Sequence, residues 1–85
     1  MFETGQIVYS KRGRDKGLPF VITGIDGEYL FLADGKVRTL EKPKKKKTMH
    51  VQRVDRIIGE IKYKIDNRLY MNDAEIRKAL EEYKK

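Results

Sequence analysis

Two short segments of the chain concentrate positively charged side chains. The first segment contains the cations Lys11, Arg12, Arg14 and Lys16 together with Gly13 and Gly17. The second contains the cations Lys42, Lys44, Lys45, Lys46 and Lys47 and is interrupted only by Pro43. An arginine can bridge two phosphate oxygens, a lysine acts as a point charge, and a glycine lets the backbone approach an anion closely. Both segments are therefore candidates for binding phosphate groups. The alternatives are a solvated turn in which Asp15 pairs with a neighbour, and a flexible solvated loop or localisation-like basic tract.

The net charge points in the same direction. The chain has 85 residues, a formal net charge of +7 and a pI near 9.7, and residues 1–58 hold nearly all of the excess. A positive field on part of a small domain attracts polyanions, either nucleic acid or an anionic membrane. A membrane surface would call for a basic amphipathic helix with large apolar residues opposite its cations, whereas these cations lie in strand and loop sequence and the chain has no Trp. Nucleic acid is therefore the expected partner.

Three further basic residues extend the candidate set. Arg38 either faces outward beside the basic segments or pairs with Glu41 or Asp34. Arg53, after the last predicted strand, has the same two interpretations. His50 is the single histidine, and we expect it to pack or to form a hydrogen bond with nucleic acid.

Other chemistry finds little support in the residue types. The lack of Cys excludes a disulfide framework, a Cys-based zinc site and a thiol nucleophile. No residues form a pattern for nucleophilic catalysis, and no glycine-rich loop ends in Gly-Lys-Ser/Thr. We expect no enzyme activity, cofactor, metal site or small-molecule substrate. The longest apolar run, Tyr29–Ala33, is too short to span a membrane, and no signal peptide is evident, so a soluble cytoplasmic protein is expected.

Short strands are the elements that would position these cations. Runs of apolar and β-branched residues predict strands at residues 7–9, 20–25, 29–32, 37–40 and 49–52. Asp26-Gly27 and Asp34-Gly35 predict type I′ hairpin turns that join the second, third and fourth strands. Five such short strands favour a small closed barrel, because closure removes exposed strand edges. The expected fold class is mainly β: a barrel of about five strands over residues 1–54 with a C-terminal α-helix.

The end of the chain changes to a helical period. Apolar residues recur at spacings of three and four from Ile76 to Tyr83, and Asn72 with Glu75 matches a capping box. We predict a helix over residues 72–85 that packs on the barrel; the alternative is that its apolar stripe binds a partner protein. Residues 55–71 form a connecting segment, and the alternation between residues 61 and 65 suggests that it is extended.

Aromatic side chains could add base stacking. Tyr29, beside the predicted Asp26-Gly27 turn, is the stacking candidate. Phe20 and Phe31 are expected in the core, because so small a barrel needs large apolar side chains inside.

The spacing of glycines, valines and basic residues over residues 3–54 resembles a KOW motif. The matching residues are Gly5-x-x-Val8, Gly13-Arg14-Asp15-x-Gly17, the strand at 20–25, Ala33-Asp34-Gly35-x-x-Arg38, Lys44–Lys47 and Met49-His50-Val51. The chain is similar to the short KOW-domain RNA-binding proteins of Gram-positive bacteria and to the large-subunit ribosomal KOW proteins of archaea and eukaryotes. The resemblance implies an SH3-like barrel that binds RNA within or beside the ribosome, through residues 11–17 and through Lys44–Lys47 leading to His50.

Charge and resemblance together predict an RNA-binding module that docks on structured RNA. The resemblance implies that this RNA is ribosomal. The alternatives are a protein-interaction module that binds ribosomal proteins or other parts of the translation or transcription machinery, and a DNA-binding protein. The predicted RNA-binding residues are Lys11, Arg12, Arg14, Lys16, Arg38, Lys42, Lys44, Lys45, Lys46, Lys47, His50 and Arg53.

Overall fold

Five antiparallel strands and two short helices make up the fold, as described for residues 1–84 by a computed structural model. The strands are β1 (Gln6–Ser10), β2 (Pro19–Asp26), β3 (Tyr29–Ala33), β4 (Lys44–Lys47) and β5 (Val51–Ile57), in the sheet order β4-β3-β2-β1-β5. The helices are α1 (Gly59–Asp66) and α2 (Asp73–Leu80), and 3-10 turns occupy Thr48–His50 and Glu81–Tyr83. The prediction of a mainly β fold is confirmed. None of the helices in this part of the chain is long and apolar enough to cross a membrane.

The first three predicted strands are confirmed, and a tight hairpin joins β2 to β3. Asp26 pairs with Tyr29 across a loop of two residues. Only the first of these, Gly27, has a positive φ (+60°), which is the pattern of a type II′ turn rather than the predicted type I′ turn.

The predicted fourth strand at residues 37–40 is wrong. Residues 34–38 form a turn in which the Asp34 carboxylate accepts hydrogen bonds from the backbone N–H groups of Lys36 (2.9 Å) and Arg38 (2.8 Å). Gly35 adopts a φ of +77° in this turn. A short acidic side chain that binds its own backbone competes with strand pairing, and here it prevails.

The lysine run itself forms the fourth strand. Its residues pair with β3 in the register Tyr29↔Lys47, Leu30↔Lys46, Phe31↔Lys45 and Leu32↔Lys44. Alternate side chains of a strand point to opposite faces, so Lys44 and Lys46 share the face of the leucines, and Lys45 and Lys47 share that of the aromatic residues. This division lets four consecutive cations form regular structure.

An apolar cluster lies on each face of the sheet. The inner cluster contains Val8, Phe20, Ile22, Leu30, Leu32 and Val51. The outer cluster joins strand residues to residues of both helices: Ile7, Val21, Ala33, Ile61, Ile76 and Leu80. The helices therefore cover the outer face around β1, β2 and the end of β3.

The sheet is curled, with the inner cluster on its concave side. Its edge strands β4 and β5 are joined by only three residues, Thr48–His50. The edges of a flat five-stranded sheet would be about 19 Å apart, farther than a 3-10 turn rising about 2 Å per residue can reach. Consistent with the curl, the Lys46 ammonium of β4 lies 2.5 Å from Ser10 Oγ of β1.

The connecting segment contains a helix, which corrects the expectation of an extended chain. β5 continues to Ile57, and α1 follows at Gly59–Asp66. Ile58, Ile61 and Ile65, spaced by three and four, pack against the outer cluster. The apolar residues between positions 58 and 66 therefore follow the spacing of a helix and not the alternation of a strand.

The C-terminal helix and its capping box are confirmed, although the α-helix is short. Asn72 Oδ1 accepts a hydrogen bond from Glu75 N (3.1 Å), and Glu75 Oε2 accepts one from Asn72 N (3.1 Å). Ile76 and Leu80 are buried against the sheet, so the apolar stripe is covered by the chain itself. The helix ends at Leu80, and Lys85, the last residue of the predicted helix, lies outside the described residues.

Candidate nucleic-acid interface

Asp15 connects the two basic segments. One carboxylate oxygen lies 2.9 Å from Lys44 Nζ, and the other lies 3.0 Å from Lys46 Nζ. The second oxygen also accepts a hydrogen bond from Ser10 Oγ at 2.6 Å. The first basic loop (residues 11–17) is thereby held beside β4, and two segments that are distant in sequence form one surface.

Lys46 belongs to the interior of this arrangement. Its side chain is 8% exposed, and its ammonium donates hydrogen bonds to Ser10 Oγ (2.5 Å), Arg12 O (2.8 Å) and Asp15 Oδ1 (3.0 Å). An ammonium has three N–H donors, and all three are engaged. Lys46 therefore holds the loop in place and has no donor left for the phosphate contact predicted from the sequence.

The environment of Asp15 keeps its carboxylate ionised. Burial by itself would raise the pKa of Asp15, but hydrogen bonds from Lys44, Ser10 and Lys46 outweigh it and hold the pKa well below its ordinary value. The folded state therefore releases the proton of Asp15 at a lower pH than the unfolded chain does.

Acid is expected to weaken the fold through Asp15. Its contribution to the free energy of unfolding is complete above the unfolded pKa of about 4 and is lost as the pH falls through the lower folded pKa. Urea unfolding of the natural sequence and Asp15→Asn, at about pH 7, pH 4 and pH 2, should show their stability difference shrinking below about pH 4. A difference independent of pH would contradict this role. The comparison isolates Asp15 from Asp66 and Glu75, whose lowered pKa values act in the same direction.

The first basic loop is a tight structure with exposed side chains. Gly13 and Gly17 have φ values of +86° and +85°, and Gly17 N donates to Ser10 O at 2.8 Å. The N–H of Lys11 donates to His50 O (2.9 Å), so His50 lies beside the start of the loop. The predicted cations of the loop are all exposed: Lys11, Arg12, Arg14 and Lys16.

A groove of about 370 Å³ lies between this loop and the turn at residues 34–38. Arg14, Arg38 and Lys44 line it, so predicted cations from three parts of the chain meet there. The other lining residues are Asp15, Leu18, Phe20, Asp34 and Val37. Within residues 1–84 neither arginine forms an ion pair, and the alternative in which Arg38 pairs with Glu41 or Asp34 is not observed. The groove thus combines apolar side chains with two arginines that form no ion pair with its carboxylates, Asp15 and Asp34.

A second basic surface lies on the outer side of β3 and β4. Lys45 Nζ is 4.7 Å from the ring centroid of Tyr29 and 5.9 Å from that of Phe31, and Lys47 Nζ is 5.9 Å from that of Tyr29. These are cation–π distances. We call Tyr29, Phe31, Lys45 and Lys47 the aromatic face.

Phe31 is not a core residue, so the prediction that it lies in the core is wrong. Phe20 is buried, at 1% exposed, as expected, whereas Phe31 is only partly buried. Leu30 and Leu32, both fully buried, alternate with Tyr29 and Phe31 along β3. That period of two is the pattern that could have assigned Phe31 to the outer face.

Comparison with known proteins gives no family. No family model matches the chain, and no curated protein matches its sequence. The geometry of the two basic surfaces is therefore the basis for assigning a function, and the KOW resemblance stays a prediction.

The remaining predicted residues lie outside the groove lining. Lys42 is exposed in the segment before β4, where its backbone N–H donates to Thr39 Oγ1 at 3.1 Å. Arg53 is exposed on the edge strand β5 and donates to Met1 O at 3.3 Å. In the part of the chain that the structure describes, no cluster of His, Asp or Glu side chains is arranged to hold a metal ion.

Proposed function

We propose that the protein binds RNA through the cations that surround the groove and those of the aromatic face. The observation that carries the proposal is the pairing of Asp15 with both Lys44 and Lys46, which fixes the first basic loop against β4. The exposed cations of the two basic segments are Lys11, Arg12, Arg14, Lys16, Lys42, Lys45 and Lys47.

Electrostatics favours a polyanion at this surface. Like charges held close together repel one another, and none of the exposed cations of the two segments has an ion-pair partner within residues 1–84. Phosphate groups along a nucleic acid relieve that repulsion at several positions at once and release their own counterions. A preformed loop also loses little conformational freedom on binding.

The KOW resemblance implies an SH3-like barrel, and we propose that fold for this protein. The curl of the sheet supports it. The 3-10 turn brings the edge strands β4 and β5 together at one end of the sheet, and the inner cluster fills the concave side. By the same resemblance we propose KOW-type binding of structured RNA, with ribosomal RNA in the cytoplasm as the ligand.

The salt dependence of RNA binding tests the proposal. We expect the logarithm of the association constant for a hairpin RNA to fall linearly with the logarithm of the salt concentration. Replacing Arg14 and Arg38 together by Gln should weaken binding. It should also reduce the magnitude of the slope of this plot by about two, one for each lost phosphate contact. The matched control replaces Arg68 and Lys78, exposed residues outside both surfaces, by Gln. It removes the same charge and should leave the slope nearly unchanged.

Equal slopes for the groove variant and its control would contradict phosphate binding at the groove. Absence of RNA binding by the natural sequence would overturn the proposed function. Titration of a duplex DNA of matched length at one salt concentration separates RNA from DNA. A complex from cell extract that survives ribonuclease would support the protein-interaction alternative instead.

A further inference from the structure

The helices leave part of the outer sheet face uncovered. On β3, Ala33 is fully buried in the cluster that contains Ile76 and Leu80 of α2. Tyr29 and Phe31 lie on the same face of the strand, yet both remain partly exposed. Two aromatic rings therefore lie side by side beyond the helical cover.

The backbone around Phe31 leaves room for its ring. Gly24 is the cross-strand partner of Phe31, after a register shift in β2. A Cβ atom at Gly24 would lie 3.2 Å from Phe31 Cδ2, closer than side chains normally pack. The ring thus lies against a strand position that has no side chain, and its other surroundings include the Lys45 ammonium.

The charges around the rings are unequal on their two sides. Lys45 and Lys47 lie on the β4 side. At the hairpin end, Asp26 pairs opposite Tyr29 and Glu28 precedes it. A bound RNA strand would therefore place its phosphates along β4 and its bases over β3.

We infer that the aromatic face binds unpaired bases of RNA by stacking. The inference rests on the proposed function and narrows its ligand to RNA with unpaired nucleotides beside the structured part. Side chains two positions apart on a strand are about 7 Å apart, which gives successive bases separate rings. Every base has a π-face, so such stacking needs no particular sequence, whereas bases inside a duplex are already stacked on each other. The exposed lysines can leave the rings for phosphates, because an exposed cation–π contact is weak compared with base stacking.

A tryptophan reporter tests the inference directly. The chain has no Trp, so Phe31→Trp introduces a single indole into the aromatic face. We expect its fluorescence to be quenched by a hairpin RNA that carries a single-stranded oligouridine tail, and much less by the same hairpin without the tail. Tyr63→Trp, at an exposed position of α1, is the matched control and should not respond to the tail.

Affinity measurements with Tyr29→Ala complete the test. We expect this variant to bind the tailed RNA about tenfold more weakly, with the same salt slope because no cation is lost. Tyr29→Leu, which keeps apolar bulk on β3, should show a similar loss if stacking is the cause and guards against a folding defect. Unchanged affinity together with an unquenched indole would overturn the inference. If the Arg14 and Arg38 double variant still flattens the salt slope in that case, the proposed function stands; if no RNA binds at all, both fail.

Discussion

Replacing Asp15 by Asn is expected to lower the free energy of unfolding by about 3 kcal/mol, a large share of the stability of so small a domain. The substitution leaves Lys46, at 8% exposed, with a charge that no carboxylate balances. It also turns an amide toward Lys44, which now lies 2.9 Å from a carboxylate oxygen. Removing one partner of a buried ion pair costs far more than removing an exposed one, because the remaining charge stays out of water.

A double-mutant cycle measures this coupling. Lys46→Met removes the buried ammonium while keeping a long side chain, and Asp15 then still has Lys44. We expect the Asp15→Asn and Lys46→Met double variant to be more stable than Asp15→Asn alone in urea unfolding. The double variant also gives a result if Asp15→Asn alone proves too unstable to fold.

Asp66→Asn is the matched control for this cycle. Asp66 pairs with Lys62 at 3.1 Å, and their side chains, at 43% and 35% exposed, are much more accessible to water than those of Asp15 and Lys46. The control should change stability much less than Asp15→Asn does. If the two substitutions proved equally mild, or if the cycle showed no coupling, Asp15 could not be the residue that holds the basic loop to β4.

The elements that could be predicted are those set by neighbouring residues. β1, β2 and β3 follow from short apolar runs, and the Asn72–Glu75 capping box involves residues only three apart. The capping box is complete within one helical turn, and an apolar, β-branched run marks a segment that can pair as a strand. Their location can therefore be read from nearby residues, although the strands themselves form only by pairing with one another.

The lysine strand could not be predicted from charge, because the groups that offset its repulsion come from other parts of the chain. The Asp15 carboxylate lies 29 residues before Lys44 and 31 before Lys46. Tyr29, which lies under Lys45 and Lys47, comes from a different strand. No local pattern connects these partners, so the run by itself does not distinguish a strand from a flexible solvated loop.

Helix α1 was missed for a different reason. Ile61 and Ile65 alternate with lysines, which suggested a strand, yet the same residues with Ile58 fit spacings of three and four. The ion pairs Lys62–Asp66 and Lys64–Glu60, each four residues apart, also match a helix. Over residues 58–66, Ile58 and the two ion pairs fit only the helical period, whereas residues 61–65 alone fit both periods.

For the candidate interface, the sequence indicated which residues are cationic and the fold decides their roles. Lys46 is internal, Arg14 and Arg38 line the groove, and Lys45 and Lys47 lie over the rings. The fold thereby turns one basic run into two surfaces with different chemistry. The groove offers charge beside apolar side chains, and the aromatic face offers charge beside π-systems.

Replacing Gly35 by Ala is expected to cost about 3 kcal/mol, because two penalties act at the same position. The first is the φ of +77°, which strains any residue with a Cβ atom. The second is contact with α2, since a Cβ at Gly35 would overlap the carbonyl oxygen of Asp73 and crowd the backbone nitrogen of Arg77. That turn is also tied to the helix by Arg77 Nη1, which donates to Gly35 O at 2.6 Å.

Gly27→Ala is the matched control, because it separates strain from contact. Gly27 has a φ of +60°, but a Cβ there would meet nothing within 4 Å. Its substitution should cost only the strain, about 1 kcal/mol, so urea unfolding should show Gly35→Ala to be less stable by about 2 kcal/mol. Equal losses would mean that α2 does not pack on the turn. Since this turn places Val37 and Arg38 at the groove, the same contact that stabilises the fold also sets one wall of the proposed RNA-binding surface.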